Sequence, residues 1–253
     1  MHTPRRETSS IIKLTEAEAG EGVGLPPIPD PLAGGNGNSI REELHLYRRE
    51  LILSIAAELF SKKGYSGALV SELAKMIGVT KPFIYYYVKN KQDILEQICI
   101  ATIDLPHLVM EEVLSEDLSP IDSLHTFVRR FATVQGINQN FVSVFFREEP
   151  NLSPDVRQYV TGRRREFDER LEKLLYMGVE SGDFRIADVP VTARAIAGMV
   201  CWIFNWYRPD GRLTLEDMSQ QFADLTLNMV DARRQRARPG TGDCQPVQAG
   251  SRP

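Results

Sequence analysis

Residues 81–91 combine basic, aromatic and proline side chains in a pattern that suits contact with nucleic acid. A lysine at a helix start, such as Lys81, can donate to guanine O6 and N7, and the rings of Pro82 and Phe83 can pack on a thymine methyl group. Tyrosine hydroxyls and lysine ammonium groups suit phosphate oxygens, which position a protein on DNA without reading its sequence. The side chains that offer these contacts are Lys81, Pro82, Phe83, Tyr85, Tyr86, Tyr87 and Lys91. For at least one tyrosine, and in part for Tyr87, the alternative is packing in the core of a small domain.

The remaining polar residues form no catalytic pattern. The four histidines, at positions 2, 45, 107 and 125, lack the spacing of a metal site and have no adjacent serine or cysteine nucleophile. The sequence has no glycine-rich loop that would cradle a phosphate, and the acidic pairs at 111–112 and 148–149 are better explained as solvated surface than as a general acid and base. The sequence therefore predicts a protein that is not an enzyme and needs no cofactor. An all-α adaptor that binds other proteins is an alternative.

Two short helices around a glycine turn would bring the DNA-contacting side chains onto one surface. The apolar residues of the first helix recur at helical spacing, at Val70, Leu73, Ala74 and Ile77. Gly78 ends that helix, because glycine adopts the left-handed backbone conformation at little cost. Thr80 suits the N-cap of the second helix and Pro82 its first turn, while Ile84 and Val88 face inward. This arrangement is a helix-turn-helix.

Residues 50–95 resemble the DNA-binding domain of the TetR family of bacterial transcriptional regulators, through the Lys-Lys-Gly-Tyr run at 62–65 and the Tyr-Val-Lys-Asn-Lys run at 87–91. The resemblance implies base contacts from Lys81, Pro82, Phe83, Tyr85 and Tyr86, and phosphate contacts from Tyr87 and Lys91. Family members usually carry Thr or Ser before the first of the two helices, where it caps the helix and touches a phosphate. Ala68 and Leu69 stand there in this chain, so we expect Ser66 or Ser71 to make that contact. Thr80, at the start of the second helix, is also among the residues expected to bind DNA.

The whole chain is predicted to be all-α, with about nine helices, the number found in the TetR family. Glycine and proline dominate residues 1–40, so we expect a disordered N-terminal arm, and residues 233–253 are expected to form a disordered tail. Between them we expect the helix-turn-helix domain at residues 41–92 and a ligand-binding and dimerisation domain at residues 93–232. A long connecting helix is predicted at residues 91–114, with an interruption near Pro106.

The charge of the chain is distributed in a way that permits DNA binding. The net charge is −4, but residues 41–95 contain nine Lys/Arg and six Asp/Glu, whereas residues 96–253 contain 18 and 23. A locally basic domain suffices, because salt screens charges beyond roughly 8–10 Å. No apolar run reaches the ~20 residues that a membrane-spanning helix needs, and no signal peptide is visible. The three cysteines fit reduced thiols, so we expect a cytoplasmic protein without membrane contact.

The last two predicted helices, at residues 191–206 and 214–230, are apolar on more than one face. One face can pack within the chain, and the other can meet a second copy in a four-helix bundle. The expected homodimer contacts are Val200, Phe204, Phe222, Leu225 and Met229. Ordinary packing within the chain is the alternative. A ligand pocket is expected in the middle of the chain, lined by Phe127, Phe131, Phe145, Phe146, Arg147, Trp202, Asn205 and Trp206.

Residues 145–154 and 206–211 resemble a TetR subgroup that includes regulators of steroid-ring and fatty-acid catabolism, several of which respond to CoA thioesters. This resemblance implies a repressor that a CoA thioester releases from its operator, with an acyl group in the apolar pocket and CoA phosphates near arginines. Residues 163–165, Arg-Arg-Arg, are one candidate for the phosphates, although pairing with neighbouring acidic residues on a solvated helix face is the simpler interpretation. The alternative function is a repressor of an efflux or aromatic-compound operon that senses a hydrophobic molecule without CoA.

Overall fold

The computed structural model describes residues 37–232, with side chains from residue 41 onward, and this part of the chain is helical without strands. The helices are α1 (Gly37–Lys63), α2 (Val70–Ile77), α3 (Lys81–Tyr87), α4 (Lys91–Ser115), α5 (Pro120–Ile137), α6 (Gln139–Glu148), α7 (Pro154–Glu180), α8 (Val189–Cys201), α9 (Ile203–Trp206) and α10 (Leu215–Met229). A 3₁₀ turn, Glu149–Asn151, joins α6 to α7. The single-turn α9 follows α8 after a break at Trp202, so the prediction of an all-α chain with about nine helices is confirmed.

The predicted ends of the chain differ in part from the structure. Helix α1 begins at Gly37, four residues inside the segment that we expected to be a disordered arm. The rest of that arm, residues 1–36, and the predicted tail, residues 233–253, lie outside the described residues. The boundary that we placed between residues 92 and 93 falls within the first turn of α4, so one continuous helix joins the two domains. The domain limits remain a prediction.

Helices α1–α3 form the N-terminal three-helix domain. Ala68, Leu73, Ile84 and Val88 are buried and belong to the same apolar core as the buried face of α1. Gly78 ends α2 with φ of 79°, the left-handed conformation expected of a glycine at this place. Thr80 occupies the N-cap position of α3 with an extended backbone, but its side chain accepts no cap hydrogen bond. The expectation of a side-chain cap at Thr80 is therefore wrong, and Pro82 in the first turn fixes the helix start instead.

Helix α4 runs without interruption from the first domain into the second. Its start is capped by Asn90, whose side chain accepts a hydrogen bond from the backbone N–H of Asp93 at 2.8 Å. Pro106 lies inside the helix, and the predicted interruption there is wrong. Most residues of α4 from Ile94 to Val113 are buried against α5, α6 and α7, and this packing holds the helix together across the hydrogen bond that proline cannot donate.

Candidate nucleic-acid interface and effector domain

The exposed face of α3 carries most of the residues that we predicted to contact DNA. Tyr86 is 74% exposed and Tyr85 46% exposed, and Lys81 and Pro82 are also exposed. Ile84, fully buried, anchors the opposite face of this short helix. The exposed side chains of α3 therefore protrude from the domain, as those of a recognition helix do.

Phe83 and Tyr87 are half-buried and pack against α1 rather than facing solvent. The Tyr87 ring lies 5.1 Å from that of Phe83 and 4.8 Å from that of His45, and its hydroxyl accepts a hydrogen bond from Arg48 Nη1 at 3.1 Å. The Arg48 guanidinium also lies 5.9 Å from the centre of the Phe83 ring. The structure thus has Tyr87 packed in part, as the alternative for that residue stated. We did not predict from the sequence that α1 holds this side of α3.

Contrary to our expectation, Lys91 does not point into solvent. Its ammonium group donates a hydrogen bond to the backbone carbonyl of Tyr65 and lies 4.4 Å from the centre of the Tyr65 ring. Burial lowers the pKa of Lys91, and the nearby Glu148 carboxylate acts in the opposite direction. The expectation of an outward-pointing Lys91 is therefore corrected, because the turn between α1 and α2 offers this side chain a carbonyl and an aromatic face.

The start of α2 also differs from the expected arrangement. Leu69 occupies the N-cap position, and its backbone N–H donates to the carboxylate of Glu72 at 3.3 Å. Glu72 in turn pairs with Lys63 at 2.6 Å, and hydrogen bonding to Lys63 lowers the pKa of Glu72. Ser66 and Ser71 are both exposed, and Ser71 is the second residue of the helix. Leu69, and not a serine, thus stands at the N-cap of α2, and the phosphate contact that we expected from Ser66 or Ser71 stays a prediction.

Two side chains at the end of α6 bind the backbone of the first domain. Arg147 Nη1 donates to the carbonyl of Ser61 at 2.7 Å, and Glu148 Oε1 accepts from the N–H of Tyr65 at 3.1 Å. We call these two hydrogen bonds the interdomain contact. Arg147 is therefore not directed into a ligand pocket, which corrects our assignment of that residue.

The segment after α6 continues toward the start of α4. The side chain of Gln92 donates to the carbonyl of Asn151 at 2.9 Å, and Glu96 accepts from the N–H of Ser153 at 3.2 Å. Hydrogen bonds from Gln92 and Ser153 hold the pKa of Glu96 below its usual value against the effect of burial. Residues 145–154, which we associated with the ligand, thus lie where the second domain meets the first.

A buried polar network joins α4 to α7. Asp104 accepts from Arg163 Nε at 2.6 Å and from the Tyr159 hydroxyl at 2.9 Å, and Arg163 also pairs with Glu166 at 2.6 Å. Burial and the Asp104 charge raise the pKa of Tyr159 to about 12. One ring nitrogen of His107 bonds the Arg163 carbonyl at 2.9 Å, while its other ring nitrogen, Nδ1, is buried without a partner among the described residues.

The surroundings of His107 disfavour its protonated form. Burial and the positive charge of Arg163 lower its pKa. Arg163 is also partly buried, but the Asp104 charge raises the pKa of its guanidinium against the effect of burial. The network therefore contains two ion pairs of Arg163, with Asp104 and with Glu166, and the His107 imidazole packs beside the ring of Phe167.

The aromatic residues that we expected to line one pocket divide into two groups. Phe127 and Phe131 are fully buried and pack on Phe167, with ring centres 5.5–6.1 Å apart, and Phe145 is only 4% exposed. These side chains form core rather than an open wall, which corrects their assignment. The remaining predicted pocket residues are exposed on the surface; they are Phe146, Trp202, Asn205 and Trp206.

Two open clefts lie beside α7, and Phe146 of the exposed group lines the smaller one. The larger, of about 620 Å³, lies along the first half of α7 and is lined by Pro154, Arg157, Gln158, Thr161, Gly162 and Arg165. The smaller, of about 310 Å³, is lined by Phe146, Glu149, Pro150 and Arg157. Of the arginine triplet, Arg165 lines the larger cleft, Arg163 is in the buried network, and Arg164 pairs with Glu149 at 2.9 Å. Arginine side chains line both clefts, and the smaller cleft also includes the exposed Phe146.

The predicted dimerisation residues also divide. Val200 and Phe222 are buried in their own chain, so their assignment to a contact with a second copy is wrong. Phe204 is half-buried and stacks on Phe146 at 5.1 Å. Leu225 and Met229 are 51% and 43% exposed. Further apolar side chains are exposed on α8, at the break after it and on α9, namely Val191, Trp202 and Trp206.

One segment of this region has the composition of a membrane span. Among residues 37–232, one stretch is long and apolar enough to cross a membrane. It is Val189–Trp206, which has a mean hydropathy of 1.2. The helix is interrupted at Trp202 and contains the exposed Arg194, which are poor features for a membrane-spanning helix. Exposed apolar residues on such a helix are equally expected of an interface between protein subunits.

Two family patterns match the chain. The pattern described as bacterial regulatory proteins, tetR family, matches residues 52–98, and the pattern described as tetracyclin repressor-like, C-terminal domain, matches residues 117–230. The HTH-type transcriptional repressor KstR2 of Mycolicibacterium smegmatis is 26% identical over 187 residues, which are 72% of this chain and 90% of that repressor.

Solved structures agree with both patterns. The TetR family transcriptional regulator PfmR from Thermus thermophilus is 32% identical, with a TM-score of 0.65 over 70% of this chain and 97% of PfmR. AibR, solved in complex with isovaleryl coenzyme A and operator DNA, is 28% identical, with a TM-score of 0.62 over 74% of this chain and 100% of AibR. These relatives are transcriptional regulators and not enzymes. The chain belongs to the tetR family of bacterial regulatory proteins.

Proposed function

We propose that this protein is a homodimeric transcriptional repressor that binds operator DNA through α2 and α3 and is released by a CoA thioester. The observation that carries the DNA-binding half is the face of α3, where Lys81, Tyr85 and Tyr86 protrude from a helix-turn-helix of the TetR family. Operator DNA lies in the bacterial cytoplasm, so the protein acts there.

The proposed DNA contacts divide into base contacts and phosphate contacts. Lys81 donates to a guanine edge, and Pro82 and the edge of Phe83 meet thymine methyl groups. The phosphate contacts come from hydroxyl and ammonium groups around the base-reading residues, namely Ser71, Thr80, Tyr85, Tyr86 and Lys91. Tyr87 acts mainly by holding α3 against α1, since its hydroxyl already accepts from Arg48. Lys91 reaches a phosphate only after leaving the Tyr65 carbonyl.

The proposed dimer uses α8–α10 of each copy. The exposed apolar residues Trp202, Trp206, Leu225 and Met229 supply a surface that a second copy would cover, and a two-fold axis would make it self-complementary. Burying such residues is favourable by about 25 cal/mol for each Å² of apolar surface. A dimer places two α3 helices on half-sites about one helical turn, ~34–36 Å, or a multiple apart.

The proposed effector is a CoA thioester. AibR was solved with isovaleryl coenzyme A, which makes the same ligand class the first choice for a relative of 28% identity. The α7 clefts have the chemistry that such a ligand needs, because Arg157 and Arg165 can pair with phosphate oxygens and Phe146 offers an apolar surface beside them. The acyl group would pack against Phe146.

The release mechanism requires the effector to favour one conformer over another. A ligand shifts an equilibrium only by the difference in its affinity for the two conformers, and a hundredfold difference is about 2.7 kcal/mol. In this protein the interdomain contact and α4 both join the effector domain to the helix-turn-helix domain. A ligand that moves α6 or α7 therefore changes the separation of the two α3 helices in the dimer.

The test is binding of the purified protein to its own upstream intergenic DNA at ~150 mM salt. Isovaleryl-CoA, a long-chain acyl-CoA and a steroid-derived CoA thioester are each compared with the matching free acid. Release by a thioester but not by its acid supports the proposal. Release by free acids or other hydrophobic molecules would instead favour the repressor of an efflux or aromatic-compound operon.

Variants separate the two halves of the proposal. Tyr86→Ala should weaken binding to all sequences, whereas Lys81→Ala should also relax the preference at one base pair, by ~1–3 kcal/mol. Arg157→Gln should weaken the response to the thioester and leave binding of DNA alone unchanged. If the protein binds DNA specifically and no thioester weakens this binding, the proposal of a CoA thioester effector is refuted. The proposal of a repressor is then retained.

A further inference from the structure

We propose that the first half of α1 forms a second DNA-binding surface, in which Arg41 and Arg48 contact the phosphate backbone beside the groove that α3 enters. His45 lies between them on the same helix, and we call these three residues the α1 basic face. The inference rests on the proposed docking of α3 in the major groove.

The α1 basic face is a continuous, exposed surface. Residues 41, 45 and 48 are separated by four and three positions, which places them on one side of an α-helix, and all three are exposed. The match to the tetR family pattern begins at residue 52, so these residues precede the segment that the pattern matches. Glu42 and Glu43 occupy other sides of the helix by the same periodicity.

Direct contacts place this face beside the recognition helix. Arg48 binds the hydroxyl of Tyr87 at 3.1 Å and lies against the Phe83 ring, and the His45 ring is 4.8 Å from Tyr87 and 5.9 Å from the exposed Tyr86. A helix with its side chains is about 10–12 Å across, which is close to the ~12 Å width of the major groove. A second helix packed against the side of α3 cannot enter the same groove, and it therefore lies over the phosphates at the edge.

The chemistry of Arg48 permits both roles at once. A guanidinium carries five N–H donors, and the hydrogen bond to Tyr87 uses only one of them. Arginine pairs with phosphate through two parallel hydrogen bonds, and the contact with Tyr87 orients the group before DNA arrives. Arg41 lies nearly two helical turns earlier, about 10 Å along α1, so the two arginines suit two different phosphates.

The experiment measures how salt affects the binding of a random-sequence 30-bp duplex, by fluorescence anisotropy from ~50 to ~200 mM salt. Each phosphate contact contributes about 0.9 to the slope of log K against log salt, hence about 1.8 for the two copies in a dimer. Arg41→Gln and Arg48→Gln should each reduce the slope by that amount. The ratio of the wild-type binding constant to that of each variant should then fall about 12-fold between the two salt concentrations.

Controls distinguish contact with DNA from a bracing role in the fold. Arg48→Lys keeps the charge and should keep the slope, whereas a residue that only braces α3 would give the same slope in every variant. Arg185→Gln removes an exposed arginine from the loop after α7 and should bind like wild type. Circular dichroism and light scattering verify that each variant is folded and has the wild-type mass.

The outcomes separate this inference from the proposed function. If the wild type binds this duplex with the same slope as Arg41→Gln and Arg48→Gln, the proposed α1 contact is overturned. The proposed repressor is then unaffected. A wild-type protein that binds neither this duplex nor its own upstream DNA would overturn both. A reduced slope in the two glutamine variants, with Arg185→Gln unchanged, establishes the second surface.

Discussion

Replacing Asp104 by asparagine should destabilise the protein strongly, although it changes one atom of a single side chain. Asp104 lies on α4, and its carboxylate is the buried partner of Arg163 on α7, with side-chain exposures of 11% and 19%. Asparagine keeps the shape and can still accept a hydrogen bond from Tyr159. It removes the negative charge, so the guanidinium of Arg163 remains in a largely buried position with less compensation.

The size of the effect follows from the surroundings of the pair. Breaking a buried ion pair by removing one partner costs about 3–5 kcal/mol. Arg163 keeps its second partner, Glu166, which is 38% exposed, so we expect a smaller loss of about 2–3 kcal/mol. For a protein of this size, each kcal/mol lowers the melting temperature by about 2–4 °C, which gives a decrease of about 4–12 °C.

The assay is unfolding by urea followed by circular dichroism, at one fixed protein concentration because the proposed dimer would make stability concentration-dependent. Glu149→Gln is the matched control, since it breaks the exposed pair with Arg164 (30% and 48% exposed) and should cost less than about 1 kcal/mol. Arg163→Met in the Asp104→Asn background should add less than Arg163→Met alone, because the two side chains are coupled. If Asp104→Asn lost no more stability than Glu149→Gln, the network would not stabilise the packing of α4 on α7.

Three further changes test other parts of the structure. Because burial lowers the pKa of His107, the unfolded chain takes up its proton first, so stability should fall as pH decreases below ~6.5, and His107→Gln should flatten this dependence of the urea midpoint. Gly178→Ala should cost about 1–3 kcal/mol, because its Cβ would overlap the Phe184 ring, whereas Gly162→Ala meets no atom and should stabilise α7 by up to ~1 kcal/mol. Leu225→Arg should yield monomers in light scattering, and an unchanged dimer would remove this residue from the interface.

Local signals in the sequence determined the parts of the fold that we predicted correctly. Gly78 and Pro82 fix the turn and the start of α3 through their own backbone preferences, whatever surrounds them. Helical periodicity likewise located the helices of the second domain. The uninterrupted course of α4 through Pro106 is different, because packing from other helices supports it.

The candidate site was harder to predict because it depends on which tertiary neighbour covers each residue. Phe127 and Phe146 are chemically identical, yet one is fully buried and the other 45% exposed. The periodicity of α8 and α10 likewise does not determine which apolar face packs within the chain. Val200, which we expected at the dimer interface, is buried in its own chain. Arg147 binds a backbone carbonyl 86 positions away in the sequence, and a carbonyl has no sequence signature.

The interdomain contact has a consequence for the exchange of DNA-binding domains between related regulators. Arg147 and Glu148 bind a main-chain carbonyl and a main-chain N–H, atoms that nearly every residue type supplies. A foreign helix-turn-helix with the same backbone at its first turn would therefore satisfy both partners without matched side chains. Engineered chimaeras that retain the native residues after α3 should remain compact, and the DNA sequence that is read can change while the sensing domain stays as it is.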